Sequence, residues 1–136
     1  MMARRGSRGL FQYQDVGLST AITEADPHRL VQLLYENAIS NIHKAKGAML
    51  NDEIAIKGKA IGQAISIVGT LRSTLNFEQG GDLAERLDAL YEYIIRRLMA
   101  ANRENSVEAL QECLDLIRPV KEGWDQIPQQ LKSAKS

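Results

Sequence analysis

The feature that most constrains the fold is a helical repeat of apolar residues that returns in four separate stretches. Between residues 26 and 127, apolar side chains recur three and four positions apart, and short polar or glycine-containing segments separate the stretches. This spacing places apolar side chains along one face of a helix. Short connections favour antiparallel neighbours, so we predict an all-α fold, an antiparallel up-and-down four-helix bundle.

The first two helices have recognisable start signals. Asp26 is a candidate N-cap, and Pro27 suits the first helical position, where its missing N–H costs nothing. This helix is expected to end between Gly47 and Asn51, and Asp52 is the candidate cap of the second. Apolar residues of the second helix recur every seven positions, at Ile54, Ile61, Val68 and Leu75.

Three glycines lie inside the second helix, at Gly58, Gly62 and Gly69. Each costs about 1 kcal/mol relative to alanine in a helix interior. A close approach of another backbone would make that cost tolerable. Two interpretations stay open here: tight packing inside the bundle, or a groove in which a partner docks.

The third helix is expected to follow a turn over residues 76–81. Asp82 and Glu85 have the spacing of a capping box, and the helix should end near Asn102. Its apolar content is too high for one buried face, because such a face needs about three positions in seven. The apolar residues from 87 to 99 are Leu87, Ala89, Leu90, Tyr91, Tyr93, Ile94, Ile95, Leu98 and Met99. A second apolar face therefore needs a covering partner.

The fourth helix has a capping signature at Asn105 and Glu108. Pro119 lies within its apolar repeat. Proline removes one backbone donor, and its ring collides with the carbonyl one turn earlier, so a kink or restart is expected there.

Charge and composition exclude several classes of function. Five basic residues lie in the terminal tails, which leaves 12 basic against 17 acidic residues on residues 11–131. An acidic body without a basic stripe is a poor nucleic-acid surface, and no stretch reaches the roughly twenty apolar residues of a membrane span. The predicted segments are a disordered basic tail (1–9), an N-terminal segment or lid packing on the bundle (10–25), the bundle (26–128) and a flexible tail (129–136). The absence of an apolar stretch near the N-terminus predicts a cytosolic protein.

The sequence shows no pattern of residues that is typical of a catalytic site. A di-iron bundle needs Glu-x-x-His on two helices, and neither His28 nor His43 has glutamate at that spacing. Cys113 is the only cysteine and has acidic neighbours, so nothing lowers its pKa toward reactivity. We expect no metal, no cofactor and no enzymatic activity.

Three stretches follow one another along the chain: "ADPHRLVQLLYENAISNIHKA", "LRSTLNFEQGGDLAERLDALYEYIIRRLMAAN" and a final helix that ends in "GWDQI". In this order they resemble the FliS family of flagellar export chaperones. The resemblance runs from about Tyr13 to Ile127, and the departures are Pro119 and the glycines of the second helix. It implies a cytosolic helical bundle that binds the disordered C-terminal segment of flagellin, prevents premature polymerisation and aids export by the flagellar type III apparatus.

The resemblance and the apolar pattern together predict a set of partner-binding residues. They are Tyr13, Ile22, Tyr35, Leu71, Leu75, Leu87, Tyr91, Tyr93, Ile94, Ile95, Leu98 and Met99. Four of these lie off the main stripe and are the better candidates for groove walls: Tyr91, Tyr93, Ile95 and Met99. Taken one by one, other positions favour the core, namely Leu34, Leu71, Leu87, Leu90, Ile94 and Leu98. Residues 10–22 are expected to cover a groove in the unbound protein.

Two alternative functions remain open at this point. A self-associating bundle would hide its second apolar face in a homodimer, and the chain is predicted to be a monomer or weak homodimer. An adaptor would bind another flagellar or regulatory protein, such as an export-gate component or an anti-sigma factor, through similar grooves. The alternatives predict similar apolar grooves, so the sequence does not separate them. A measurement of which peptide binds does.

Overall fold

A computed structural model describes residues 26–127, which form four helices. They are α1 (Pro27–Leu50), α2 (Ile54–Ser73), α3 (Phe77–Glu104) and α4 (Val107–Asp125). Within residues 26–127 there is no strand, and the predicted all-α four-helix bundle is confirmed. The predicted tails (1–9 and 129–136) and lid (10–25) lie outside the described residues.

The first two turns of α1 follow the sequence signal. The backbone N–H of Arg29 donates to Asp26 Oδ1 at 2.8 Å, so Asp26 caps the helix as predicted. The helix ends at Leu50, inside the predicted interval. Residues 34–127 form one compact unit, and the packing described below belongs to that unit.

Three of the predicted caps are wrong, and local backbone geometry explains each case. Asp52 has a left-handed φ of 58°, and Glu53 stands at the N-cap of α2 without a side-chain bond. Asn105 also has a left-handed φ and closes the end of α3, so Ser106 caps α4 instead. Asn76, not Asp82, caps α3 by accepting from the N–H of Gln79. Asparagine adopts the left-handed conformation more readily than most residues, which suits Asn105 to end a helix.

Two predictions of irregular backbone are wrong: the interruption at Pro119, and the turn over residues 76–81, within which α3 already begins at Phe77. α4 continues through Pro119 to Asp125, so the predicted restart is wrong. Buried Leu114 and Ile117 on the preceding turn anchor the helix in the core. The interruption lies in α3 instead, where Gly81 has φ 50° and ψ −126°, a conformation that side chains rarely adopt.

The core of the compact unit consists of small and branched residues from all four helices. Leu34, Tyr35, Ala38, Ile42, Ala45, Ala60, Ile61, Ala64, Val68, Leu71, Tyr91, Ile94, Leu98, Leu110, Cys113, Leu114 and Ile117 are buried. Within this core, α1 reaches α3 through the hydroxyls of Tyr35 and Tyr91, whose oxygens are 2.5 Å apart. This pair is a polar contact inside the core, and Asn41 and Lys57 are the buried polar or charged side chains among the described residues.

One helix of the bundle, among the described residues, is long and apolar enough to cross a membrane by length and composition alone. α2 has 20 residues, an 18-residue stretch of it has a mean hydropathy of 1.2, and a third of that stretch is buried inside the protein. The core helices of soluble proteins can have the same length and composition, so one such helix is weak evidence for a membrane span. Lys57 and Arg72 on α2 both make polar contacts to α3. The packing therefore identifies α2 as a bundle helix.

Candidate protein-binding grooves

Two polar contacts fix the register between α2 and α3. Arg72 Nε donates to Asp88 Oδ1 at 2.5 Å, and the guanidinium lowers the pKa of that carboxyl by hydrogen bonding. Lys57 Nζ donates to the carbonyl oxygen of Asn102 at 3.2 Å and to Asn105 Oδ1 at 3.0 Å. Lys57, near the start of α2, meets the end of α3, whereas Arg72, near the end of α2, meets Asp88 in the first half of α3. The two helices are therefore antiparallel.

Apolar side chains lie between those two contacts. Ile65 is midway between Lys57 and Arg72, and Ile95 is midway between Asp88 and Asn102, so the two lie at the same level. Both are half-buried, and Met99, one turn further along α3, is 47% exposed. We call this surface the α2/α3 groove.

The glycines of α2 do not serve close packing inside the described fold. A Cβ added at Gly58, Gly62 or Gly69 would meet no atom within 4 Å. Of the two interpretations of these glycines, tight internal packing is therefore wrong for residues 26–127. The glycines leave this part of the α2 surface smooth and open.

A second set of apolar side chains lies along α3 and α4. The Cys113 Sγ approaches the carbonyl oxygen of Ile94 at 3.7 Å, which sets the level of the two antiparallel helices. Three pairs of side chains follow from this contact toward the N-terminus of α3 and the C-terminus of α4. Leu90 and Leu116 lie about one turn from the contact, Leu87 and Val120 about two turns, and Leu83 and Trp124 about three turns. Five of these side chains are half-buried, and Leu83 is 64% exposed. We call this surface the α3/α4 groove.

A polar cluster closes one end of the α3/α4 groove. The Tyr93 hydroxyl donates to Glu112 Oε2 at 2.5 Å, and Arg97 Nε donates to Glu112 Oε1 at 2.8 Å. Both bonds favour the ionised carboxylate and lower the pKa of Glu112. The same bond to Glu112 raises the pKa of Tyr93, and Arg96 lies 5.5 Å from the centre of its ring. The cluster ties α3 to α4 at a fixed level.

The structure divides the predicted partner-binding residues into core and groove. Those that are buried are Tyr35, Leu71, Tyr91, Ile94 and Leu98. Those that are half-buried or exposed are Leu75, Leu87, Tyr93, Ile95 and Met99. Tyr13 and Ile22 lie outside the described residues. Partner binding by any of them stays a prediction.

Tyr91 departs most from its expected position. It was expected to lie off the core stripe, but it is only 2% exposed, and its hydroxyl pairs with that of Tyr35. Leu87 and Leu90, expected in the core, are instead half-buried at the α3/α4 groove. The core expectation is confirmed for Leu34, Leu71, Ile94 and Leu98.

Sequence reasoning missed part of the α3/α4 groove. Leu116 and Val120 were not among the candidates, although they continue to Trp124 at a four-residue spacing. That spacing marks a second apolar stripe on α4, beside the buried one that contains Cys113 and Ile117. Ile65 was missed on α2 because it lies outside the seven-residue repeat of Ile54, Ile61, Val68 and Leu75. Of that repeat only Ile61 and Val68 are buried, and Ile54 is 73% exposed.

The titratable side chains of residues 26–127 do not form a recognisable catalytic or metal-binding cluster. Among residues 26–127 no three His, Cys, Asp or Glu side chains come together as metal ligands would. Burial raises the pKa of the Cys113 thiol to about 12, which keeps it protonated and unreactive at neutral pH. What the surface offers is apolar area between helices, on both sides of α3.

A helical bundle with apolar grooves on both flanks of one helix is typical of the class of proteins that bind other proteins. Such grooves accept amphipathic segments that place anchors three and four residues apart. Comparisons with known proteins narrow this class. A family model described as "Flagellar protein FliS" matches residues 9–131.

Curated relatives give the same result. The chain is 45% identical over 120 residues to the flagellar secretion chaperone FliSB of Pseudomonas aeruginosa, covering 88% of this chain and 95% of the relative. It is 38% identical to the flagellar secretion chaperone FliS of Vibrio cholerae, covering 89% and 90%. The FliS of Salmonella typhimurium is 35% identical, with 88% and 89% covered. The chain belongs to the FliS family of flagellar secretion chaperones.

Proposed function

We propose that this chaperone binds the disordered C-terminal segment of flagellin in the bacterial cytosol, prevents its premature polymerisation and aids its export for filament assembly. The observation that carries the proposal is the apolar surface on both flanks of α3. A monomeric protein rarely leaves such a surface uncovered without a partner.

The two grooves suit an amphipathic partner helix. In the α2/α3 groove, Ile65 and Ile95 are half-buried and Met99 is exposed. In the α3/α4 groove, leucines of α3 face Leu116 and Val120 of α4. A disordered segment that folds on binding places its own apolar residues into such grooves at helical spacing.

Reversible binding follows from the cost of ordering the partner. A segment that folds on a rigid surface can bury on the order of 1,000 to 3,000 Å², while several kcal/mol is lost to its ordering. The complex is then stable enough to keep flagellin unassembled and weak enough to release it. An export-gate component would receive the complex, and an anti-sigma factor would compete for the same apolar surface.

Calorimetric titration with a peptide of the flagellin C-terminal segment tests the proposal. We expect one-to-one binding with a negative heat-capacity change, because apolar surface is buried, and a gain of helix by circular dichroism. A flagellin peptide lacking its C-terminal segment is the matched control. Absence of binding by the C-terminal peptide, or equal binding of both peptides, contradicts the proposal.

A further inference from the structure

The turn between α1 and α2 carries apolar side chains that the rest of residues 26–127 leaves uncovered. Leu50 ends α1 and is 66% exposed, and Ile54 begins α2 and is 73% exposed. They are the most exposed large apolar side chains of residues 26–127. Two acidic residues, Asp52 and Glu53, lie between them in the chain and are also exposed. We call these four residues the turn surface.

Backbone hydrogen bonds hold the turn surface in one conformation. The N–H of Glu53 donates to the carbonyl oxygen of Ala48 at 2.8 Å, and the N–H of Asp52 donates to that of Met49 at 3.4 Å. This is the Schellman pattern that closes many helices, with Asp52 at its left-handed position. Ala48 and Met49 are buried in the core. The two exposed apolar side chains are therefore presented by a fixed turn.

The fold alone does not account for an aspartate at position 52. Glycine adopts a left-handed φ without steric cost and is the usual residue at this position of the pattern. Among residues 26–127, neither Asp52 nor Glu53 forms an ion pair. Glu53 also makes no side-chain bond at the N-cap of α2. Both carboxylates are thus available to cations of a partner.

The bases near the turn surface are engaged within the bundle. Lys57 is buried and donates to the end of α3. Arg103 pairs with Glu104 at 3.4 Å, and Lys46 on α1 donates to a glutamine of α4. Glu108, in the first turn of α4, adds another acidic group at this end. The exposed lysines further along α1 and α2 are Lys44 and Lys59.

We propose that the turn surface docks a segment of another protein that carries basic side chains beside apolar ones, as one face of a basic amphipathic helix does. Apolar side chains of the partner cover Leu50 and Ile54, and its lysines or arginines meet Asp52 and Glu53. Exposed apolar patches rimmed by polar residues are typical of protein interaction sites. An anionic membrane surface suits this patch less well, because it repels the same carboxylates.

The turn surface is separate from the candidate flagellin grooves. Lys57 meets Asn102, so Met99 lies level with a part of α2 that is almost two turns beyond Ile54. The α3/α4 groove lies on the other flank of α3. Docking at the turn surface therefore stands or falls independently of flagellin binding.

Calorimetric titration with a defined peptide tests the proposal. The probe is a peptide of leucine and lysine about 14 residues long, which is about four helical turns, and its counterpart has glutamate in place of lysine. Asp52→Asn combined with Glu53→Gln should weaken binding of the lysine peptide about tenfold or more, because two charge pairs are lost. Asparagine tolerates the left-handed φ, so circular dichroism should show native helix content. Leu50→Ser combined with Ile54→Ser should weaken binding by a similar factor.

The matched control is Asp82→Asn combined with Glu85→Gln, which removes two exposed carboxylates of α3. It should bind the lysine peptide as the wild type does, and nuclear magnetic resonance should show amide shifts at residues 50–54. Equal affinity of the turn and control variants overturns the proposal. So do equal binding of the glutamate peptide, amide shifts confined to the grooves, or binding to phosphatidylglycerol vesicles in place of the peptide.

Discussion

Replacing Gly62 with alanine is expected to stabilise the protein. Gly62 lies in the interior of α2, where glycine costs about 1 kcal/mol relative to alanine. A Cβ at this position meets no atom within 4 Å, so the new methyl group adds no steric penalty. The expected gain in unfolding free energy is about 1 kcal/mol, and for a domain of about 100 residues this raises Tm by roughly 4 to 8 °C.

Urea unfolding followed by far-ultraviolet circular dichroism measures the effect. The matched control is Gly81→Ala in α3, where the backbone has φ 50° and an alanine is strained. The same change should therefore destabilise at Gly81 and stabilise at Gly62. A loss of stability in Gly62→Ala would refute the account, because it would show that another part of the protein packs closely on this face of α2.

Three further changes test contacts inside the bundle. Lys57→Met removes the buried ammonium group of α2 that donates to Asn102 and Asn105 at the end of α3. The unfolding free energy measured by urea titration should fall by about 1 to 3 kcal/mol. Tyr91→Phe leaves the buried Tyr35 hydroxyl without its partner, and calorimetric unfolding should show a loss of about 1 to 3 kcal/mol. Asp88 and Glu112 have lowered pKa values in the folded protein, so their contribution to stability is present above the ordinary value of about 4 and is lost as the pH falls through the lowered values. Denaturation as a function of pH should show this loss, and Glu112→Gln should reduce its slope.

The number and type of elements followed directly from the sequence. Apolar periodicity predicted four helices, and Asp26 with Pro27 marked the start of α1, because side-chain capping and the fixed φ of proline act locally. Local signals failed where two helices meet within a few residues. Asn105 and Ser106 are both good cap residues, and only the left-handed turn at Asn105 decides which of them ends α3 and which begins α4.

The division between core and groove depended on three-dimensional packing. Tyr91 and Tyr93 are two residues apart on the same helix, yet one is buried against α1 and the other reaches Glu112 on α4. A periodic pattern gives the angular position of each side chain but not which neighbouring helix covers it. Leu116 and Val120 were missed for the same reason, since their exposure depends on how α3 and α4 pack.

Binding of the flagellin C-terminal peptide to two surface variants tests the central claim most directly. Met99→Glu places a charge in the α2/α3 groove, and Leu50→Glu makes the same kind of change at the end of α1; both residues are exposed in the unbound protein. Calorimetric titration should show peptide affinity about tenfold or more weaker for Met99→Glu, because a charge would be buried against an apolar partner. Leu50→Glu should bind as the wild type does. Equal affinity of the two variants would contradict the assignment of the α2/α3 groove as a binding surface.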